Sequence, residues 1–302
     1  MGKVDEGFSL VSDPRTLYLT NALKDTTKRV DYTIQRRQGL TYILGDVGLG
    51  KTSILRMLHW KYEDDKKNYL TTLIPTPHFQ SDFAMLKQIC GDFGLAPKRS
   101  LFEQQKAFES WLLKQYQEGR NIVLFIDEAQ KLKHKELELI RVLLNIESYD
   151  HKLIQVILVG QLELKARLAE TKNKAIKSRV FAPSILTPLT LEETEKMIDF
   201  RCKIMECDNP FSSESIESIY QITNGIPRNI VKLCLYSIGE SQGAKITSQL
   251  VKQVAEKFKE DFDEEDSNGA SRTYIVQPNP QSKARKQQKP RPAKRSAKRS
   301  TK

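Results

Sequence analysis

The sequence predicts an α/β protein: a parallel sheet between two layers of helices, followed by a small helical domain. Short β-rich apolar runs alternate with longer helical patterns up to residue 187, and only helical patterns continue after Pro188. Regular alternation of this kind is typical of a parallel sheet covered by helices on both faces. The third observation is a glycine-rich loop placed between the first strand and the first helix of that alternation.

Five apolar runs have the length and the β-branched or aromatic content of strands. They are Leu40–Leu44, Tyr69–Ile74, Ile122–Ile126, Leu153–Val159 and Ser184–Leu186. Four segments between them have helical patterns, namely Lys51–Glu63, Ser81–Phe93, Phe102–Glu118 and Lys135–Ile146. We therefore expect residues 1–187 to form one αβα nucleotide-binding domain.

Residues 188–259 are predicted to form a helical lid domain. Thr190 and Glu193 have the spacing of a capping box, with which a helix begins. Apolar positions in this helix follow helical spacing at Leu191, Ile198, Cys202 and Met205. Three further helices are expected at about Ser213–Thr223, Pro227–Ser241 and Thr247–Phe258.

The net charge of +11 arises from one end of the chain. Residues 271–302 hold eleven of the 49 Lys and Arg residues and no acid, so the other 38 cations are balanced by 38 Asp and Glu. Residues 260–266 carry six acids. We expect residues 260–302 to be an acidic linker and a disordered polybasic tail, because they cannot bury enough apolar surface to fold. A solubilising terminus is the alternative reading of the tail.

No apolar run reaches the roughly 20 residues that a membrane helix needs, and the first residues lack the apolar centre of a signal peptide. We therefore expect a cytoplasmic protein without membrane insertion. The four cysteines form no CxxC pair, which favours reduced thiols that pack in the interior.

The glycine-rich loop fits the pattern GxxxxGK[ST], and it has the strand before it and the helix after it that this pattern requires. Backbone N–H groups of such a loop point into one concavity and can surround a phosphate, aided by the helix N-terminus. Lys51 is expected to reach the β- and γ-phosphates of ATP, and Thr52 to ligate Mg²⁺. The predicted nucleotide-binding residues are Gly45, Asp46, Val47, Gly48, Leu49, Gly50, Lys51, Thr52 and Ser53.

Two carboxylates follow the apolar strand Ile122–Ile126. Ligands of open α/β sheets bind at the carboxyl ends of the strands. Asp127 is therefore expected to hold Mg²⁺, and Glu128 to orient and polarise the water that attacks the γ-phosphate. A solvated acid pair at a strand end is the alternative, which the intact loop 75 residues earlier disfavours.

Five motifs in this order resemble the AAA+ ATPases of the ExeA/GspA type, which are related to the transposition ATPases TnsC and TniB. They are Asp13-Pro-Arg-Thr-Leu-Tyr18, Gly45–Thr52, Leu124-Phe-Ile-Asp-Glu-Ala-Gln130, Leu158-Val-Gly-Gln161 and Gly225-Ile-Pro-Arg228. The resemblance covers about residues 8–258 and implies a P-loop NTPase core with a helical lid. ATP and Mg²⁺ are the implied cofactors.

The resemblance also implies roles for three polar residues. Gln161 matches the sensor-1 position, which touches the γ-phosphate or the attacking water, and Arg228 matches the sensor-2 arginine of the lid. Arg179 resembles the arginine finger that reaches the nucleotide of a neighbouring subunit. A loop-capping glutamine, a surface arginine and a solvated basic segment are the respective alternatives.

These features favour an ATPase that forms homo-oligomers, as a ring or a filament, and acts on DNA mainly through the basic tail. A regulator of transposition or of another mobile element, recruiting a transposase or a similar protein, fits best. ExeA-type proteins generally continue into a membrane segment and a wall-binding domain, where this sequence has the polycationic segment. A cytoplasmic ATPase that remodels a secretion or assembly complex is the alternative. Intact Lys51, Thr52, Asp127 and Glu128 argue against a nucleotide switch that does not hydrolyse ATP.

Overall fold

A computed structural model of the chain describes residues 7–9 and 13–259, so the predicted acidic linker and basic tail lie outside the described residues. The strands are β1 (Leu40–Leu44), β2 (Tyr69–Ile74), β3 (Asn121–Ile126), β4 (Ile154–Gly160) and β5 (Ser184–Ile185). The helices of the sheet domain are α1 (Asn21–Gln35), α2 (Lys51–Asp64), α3 (Asp82–Asp92), α4 (Leu101–Gln117), α5 (His134–Leu143), α6 (Glu163–Ala169) and α7 (Lys174–Lys177). They are followed by α8 (Leu191–Ile204), α9 (Ser213–Thr223), α10 (Pro227–Ser241) and α11 (Ser248–Lys257).

The five strands form one parallel sheet in the order β2-β3-β4-β1-β5. Strand β4 therefore lies between β1 and β3, although it follows both in the sequence. Its Gly160 is in register with Leu44 of β1, and its Leu158 with Ile126 of β3. The loops that leave β1, β3 and β4 consequently meet at the carboxyl edge of the sheet, where the sequence predicts the nucleotide site.

The sheet is buried on both faces, which explains why β3 and β4 are continuous apolar runs. Leu124 and Val156 contribute to a core with α3 to α7, whereas Phe125 and Ile157 contribute to a second core with α1 and α2. All six residues of β3 and all seven of β4 are buried. The three-layer αβα fold predicted from the sequence is confirmed.

Helices α8 to α11 enclose a third core, which includes Ile198, Cys202, Ile230 and Cys234. The proposed boundary between residues 187 and 188 leaves most of this core on one side, but Phe8 of the N-terminal segment also belongs to it. The predicted capping box is present, since the Thr190 hydroxyl accepts from the Glu193 amide at 3.2 Å and the Glu193 carboxylate accepts from the Thr190 amide at 3.0 Å. Of the apolar positions that follow helical spacing in α8, Ile198 and Cys202 are buried, whereas Leu191, its first residue, is 40% exposed.

Helix α1 has no counterpart among the predicted elements. Its buried residues are Thr26, Val30, Thr33 and Ile34, so half of its inward positions are polar and the apolar period is hidden. The Thr33 hydroxyl donates to the Arg29 carbonyl oxygen at 2.8 Å, which satisfies this polar group within the helix. Thr20 caps the helix by accepting from the Leu23 amide at 3.1 Å.

Within the described residues, none of the helices combines the length and the apolar character that crossing a bilayer requires.

The turn before α10 depends on a glycine. Gly225 has φ +72°, and its carbonyl oxygen accepts from the Leu189 amide at 2.8 Å. A Cβ at this position would collide with the Leu189 carbonyl oxygen, so both the backbone angle and the close approach require glycine. This contact ties the start of α10 to the segment that enters α8.

Replacing Gly225 with alanine is expected to lower the free energy of unfolding by roughly 1–3 kcal/mol, because a side chain in this conformation is strained. Gly239→Ala is the matched control, since Gly239 lies inside α10 and an added Cβ would meet nothing within 4 Å. That control is expected to be stabilising by about 0.5–1 kcal/mol. Denaturant unfolding measures both, and equal stability of Gly225→Ala and the unmodified chain would contradict the role of this contact.

Candidate functional site

The glycine-rich loop joins β1 to α2 at the carboxyl edge of the sheet. Gly48 and Gly50 have φ +79° and +83°, and Gly50 is the N-cap of α2. These left-handed conformations turn the chain tightly enough for successive amides to face the same side, where the first turn of α2 also presents its unpaired N–H groups. A Cβ at Gly45 would lie 3.1 Å from Cβ of Leu186, so close packing also restricts this position.

Lys51 begins α2 and is only 7% exposed. Its ammonium donates to the Asp46 carbonyl oxygen at 2.7 Å, across the loop. Burial lowers the pKa of Lys51, whereas the negative charges of Glu128 and Asp127 act in the opposite direction. A buried ammonium next to two carboxylates has two donors besides the one used by Asp46, which suits it to an anionic ligand in the loop.

Thr52 and Asp127 are in direct contact, although they are 75 residues apart. The Thr52 hydroxyl donates to Asp127 Oδ2 at 2.8 Å, and the Glu128 amide donates to Asp127 Oδ1 at 2.9 Å. Asp127 is 5% exposed, and this burial raises its pKa, against the lowering effect of the Thr52 hydrogen bond. A hydroxyl and a carboxylate that converge beside a phosphate loop are oxygen ligands of the kind that Mg²⁺ prefers.

Glu128, the second residue after the end of β3, has a left-handed backbone conformation with φ +51°. Its carboxylate accepts from the Gln130 side-chain amide at 2.8 Å and is 3.6 Å from the Lys131 ammonium. Glu128 also lines the cavity in front of the loop. The turn thus directs a second, partly exposed carboxylate towards the same space as Lys51, and such positive φ values in residues other than glycine are common at functional sites.

Gln130 connects this acid to the end of β4, a role that the sequence analysis missed. Its side-chain oxygen accepts from the Gln161 amide at 3.1 Å, while its side-chain nitrogen holds Glu128. A Cβ at Gly160 would lie 2.7 Å from the same oxygen, so only glycine leaves room for this contact. The Gly-Gln pair at the end of β4 was the available signal, but it does not reveal which side chain packs against it.

Gln161 and Arg228, the predicted sensors, both line the cavity. The amide of Arg228 donates to the Gly48 carbonyl oxygen at 3.1 Å, so the first turn of α10 touches the phosphate loop itself. Pro227 occupies the first helical position, where its missing N–H costs no hydrogen bond. A main-chain contact therefore links the helical lid to the loop, independently of the arginine side chain.

Arg179 lies away from this cavity. Its guanidinium donates to the Ala175 carbonyl oxygen at 2.6 Å and to the Asn145 side-chain oxygen at 2.7 Å. It does not line the space that Lys51 and Glu128 face. The structure therefore brings together the predicted site residues that act within one chain. Arg179, which by the resemblance acts on a neighbouring subunit, lies apart from them.

The cavity has a volume of about 210 Å³ and continues beyond the loop into an apolar end that sequence analysis missed. One wall is the N-terminal segment, with Leu17 and Tyr18 following the short 3-10 helix Pro14–Thr16. The lid contributes Met197 of α8 and Val231 of α10. A polar end rich in amides and an apolar end between two segments match the phosphates and the base of a nucleotide.

Fold and loop together define the class of this protein: it has the P-loop fold of the AAA+ proteins. The strand order, the loop between β1 and α2 and the helical lid are the parts that carry this assignment. Residues 34–168 match the family model described as the AAA domain, from the end of α1 to α6. This segment contains Lys51, Thr52, Asp127, Glu128 and Gln161.

General secretion pathway protein A of Aeromonas hydrophila is 28% identical to this chain over 239 residues. The match covers 77% of the chain but only 42% of that protein, so the chain spans about two fifths of the length of its relative. This similarity agrees with the resemblance to the ExeA/GspA type.

Solved structures support the fold at low sequence identity. The ADP form of the ORC2 protein of Aeropyrum pernix has a TM-score of 0.62 and 15% identity, covering 83% of this chain and 72% of that one. Cdc6p of Pyrobaculum aerophilum gives 0.58 and 18%, with 84% and 70% covered. Drosophila ORC bound to DNA gives 0.60 and 15%, with 83% and 64% covered. At these identities the likeness establishes the fold alone.

Replacing Asp127 with asparagine is expected to leave the free energy of unfolding at pH 7 unchanged or to raise it, while lowering nucleotide turnover roughly 10²–10³-fold. Burial raises the folded-state pKa of Asp127, so its charge costs stability as the pH rises through that pKa, and asparagine removes this cost. Denaturant unfolding between pH 4 and 8, together with a phosphate-release assay, measures both effects.

Asp92→Asn is the matched control, because Asp92 also accepts from a threonine hydroxyl, that of Thr72 at 2.7 Å, but lies outside the cavity. It is expected to leave turnover unchanged. A strongly destabilised Asp127→Asn variant would mean that the carboxylate serves the fold and not the ligand.

Proposed function

We propose that this chain binds ATP with Mg²⁺ and hydrolyses it to ADP and phosphate. The observation that carries the proposal is the hydrogen bond between Thr52 and Asp127, in which Thr52 shares the lining of one cavity with Lys51 and Glu128. An accidental glycine-rich turn would not bring a hydroxyl, a buried ammonium and a carboxylate into one cavity, with a second carboxylate bonded to that hydroxyl.

Each side chain has a role that its contacts support. The loop amides and Lys51 hold the β- and γ-phosphates, and Thr52 with Asp127 holds Mg²⁺, which would neutralise charge on the phosphate oxygens. Glu128, kept in position by Gln130, orients a water and accepts its proton as the water attacks. Gln161 and Arg228 contact the γ-phosphate from the end of β4 and from the lid.

Arg179 completes the site of a neighbouring subunit in a homo-oligomer, as the resemblance implies. Its position outside the chain's own cavity is compatible with this role. ATP bound at the interface would then hold two copies together, as a ring or as a filament, and an arginine supplied by the neighbour would stabilise the charge of the transition state.

We propose that this ATPase acts on DNA, in the setting of transposition or another mobile element, with a transposase as the recruited protein. The basic segment 271–302 supports this reading, because eleven cations without an acid favour binding to a polyanion through counterion release. The ExeA/GspA type, which the motifs of this chain resemble, is related to the transposition ATPases TnsC and TniB, and this relation supports the same reading. One structure with the same fold is that of Drosophila ORC bound to DNA.

A second candidate is a cytoplasmic ATPase that remodels a secretion or assembly complex. The 28% identity to General secretion pathway protein A favours it. In that case DNA would neither bind nor stimulate turnover, and envelope proteins would be retained in a pull-down with the ATP-bound protein.

The Glu128→Gln variant tests the proposal most economically. This variant is expected to bind ATP, because the phosphate contacts remain, and to bind duplex DNA in the ATP-bound state. Its kcat is expected to be roughly 10²–10⁴-fold lower, because the general base is removed. The measurements are ATP binding, phosphate release with and without duplex DNA, and a mobility shift at low salt.

Glu163→Gln provides the control, because it makes the same change at the start of α6 outside the cavity and should leave turnover unaffected.

Removing residues 271–302 should abolish most of the salt dependence of DNA binding, because it removes the cations that release counterions from DNA. Normal turnover by Glu128→Gln would overturn the catalytic assignment. If the unmodified chain does not bind duplex DNA at low salt and DNA does not change its ATP turnover, the DNA-directed function is excluded and the secretion or assembly role is favoured.

A further inference from the structure

A second cavity, of about 250 Å³, lies at the β5 edge of the sheet, on the face covered by α6 and α7. Its wall includes Tyr42 from the middle of β1, Lys165 and Leu168 from α6, Lys177 at the end of α7, and Val180. It shares no lining residue with the nucleotide cavity. The proposed ATPase cycle makes no use of it.

The charged groups of this cavity are all positive. Lys165 and Lys177 line it, and no carboxylate does so among the described residues. Neither ammonium group forms a hydrogen bond or an ion pair within the described part of the chain, whereas that of the nearby Lys172 is paired with Glu170 at 2.9 Å. The two ammonium groups are therefore available to a ligand.

Tyr42 adds a neutral donor. Its ring packs against the sheet core, and burial raises the pKa of its hydroxyl, which therefore stays protonated at neutral pH. The hydroxyl has no hydrogen-bond partner within the described residues. Tyr42, Lys165 and Lys177 thus share the lining of this cavity with the apolar residues Leu168, Val180 and Pro183.

This combination matches the chemistry of a nucleic-acid backbone. Lysine and tyrosine side chains are regular donors to phosphate oxygens, which fixes the register of a protein on DNA without reading its sequence. The apolar floor suits the carbon face of the adjoining sugar. An acidic peptide would supply carboxylates in place of phosphate, but the basic tail of this chain already favours a nucleic acid as the polyanion.

We propose that the cavity lined by Tyr42, Lys165 and Lys177 holds a backbone phosphate of bound DNA. The folded body would then contact DNA at a defined point, in addition to the contacts made by the tail. This inference rests on the proposed DNA-directed function and adds to it the residues with which the body binds.

The test compares two double variants of the full chain. Lys165→Gln/Lys177→Gln removes both cations of the cavity, and Lys66→Gln/Lys67→Gln makes the same charge change in the exposed turn between α2 and β2, near the opposite edge of the sheet. Duplex binding is measured over a range of salt concentrations. The slope of log K against log salt is expected to fall in magnitude by ~1–2 for the cavity pair and to stay constant for the control pair.

Tyr42→Phe distinguishes a specific contact from general attraction. It is expected to weaken binding several-fold at every salt concentration without changing the slope, because it removes a donor and no charge. Thermal unfolding of each variant checks that the fold is intact, and a Tyr42→Phe variant with unchanged affinity would remove the hydroxyl from the proposed site.

The outcomes separate this inference from the function on which it rests. If the unmodified chain fails to bind DNA, the proposed function fails. If it binds and the cavity pair keeps the unmodified slope, or changes no more than the control pair, the inference fails and the function stands. If Lys165→Gln/Lys177→Gln changes only the inhibition of ATP turnover by inorganic pyrophosphate, the cavity binds a free phosphate and the proposal is overturned. If this double variant changes only self-association in sedimentation, the cavity contacts a second copy of the chain and the proposal is likewise overturned.

Discussion

The hydrogen bond between the Thr52 hydroxyl and the Asp127 carboxylate is the contact on which the site depends. It joins the first turn of α2 to the end of β3, across β4, which lies between β1 and β3 in the sheet. The register of that sheet sets the distance between the phosphate loop and the acids. Asp127 is buried and Thr52 is half-buried, and burial makes the Asp127 charge costly, so this polar contact exists at some expense of stability.

The helical lid is coupled to the same loop by a main-chain contact, in which the Arg228 amide donates to the Gly48 carbonyl oxygen. Within the lid, the Leu189 amide donates to the Gly225 carbonyl oxygen and ties the start of α10 to the segment that enters α8. A ligand that fills the loop would therefore act on the start of α10 directly. The N-terminal segment closes the other side, where Tyr18 packs against Phe200 of α8 with ring centroids 5.7 Å apart. Loop, lid and N-terminal segment form three walls of one cavity.

Most of the framework and the polar end of the site could be predicted from the sequence, because their signals are local. Strand length, helical period and the loop pattern require only neighbouring residues. Helix α1 was not predicted because Thr26 and Thr33 occupy inward positions that are usually apolar. The hydrogen bonds that connect Glu128 through Gln130 to the end of β4 were not predicted because they depend on side chains that only tertiary packing brings together. The apolar end of the cavity comes from an irregular segment, which has no period to recognise.

A structure of the chain with Mg²⁺ and a non-hydrolysable ATP analogue would show whether the nucleotide binds where the site residues converge. We expect the triphosphate to lie in the loop between β1 and α2, with the metal beside Thr52 and Asp127 and the base between the N-terminal segment and the lid. A triphosphate bound elsewhere, or a loop blocked by protein side chains when the nucleotide is in excess, would contradict it.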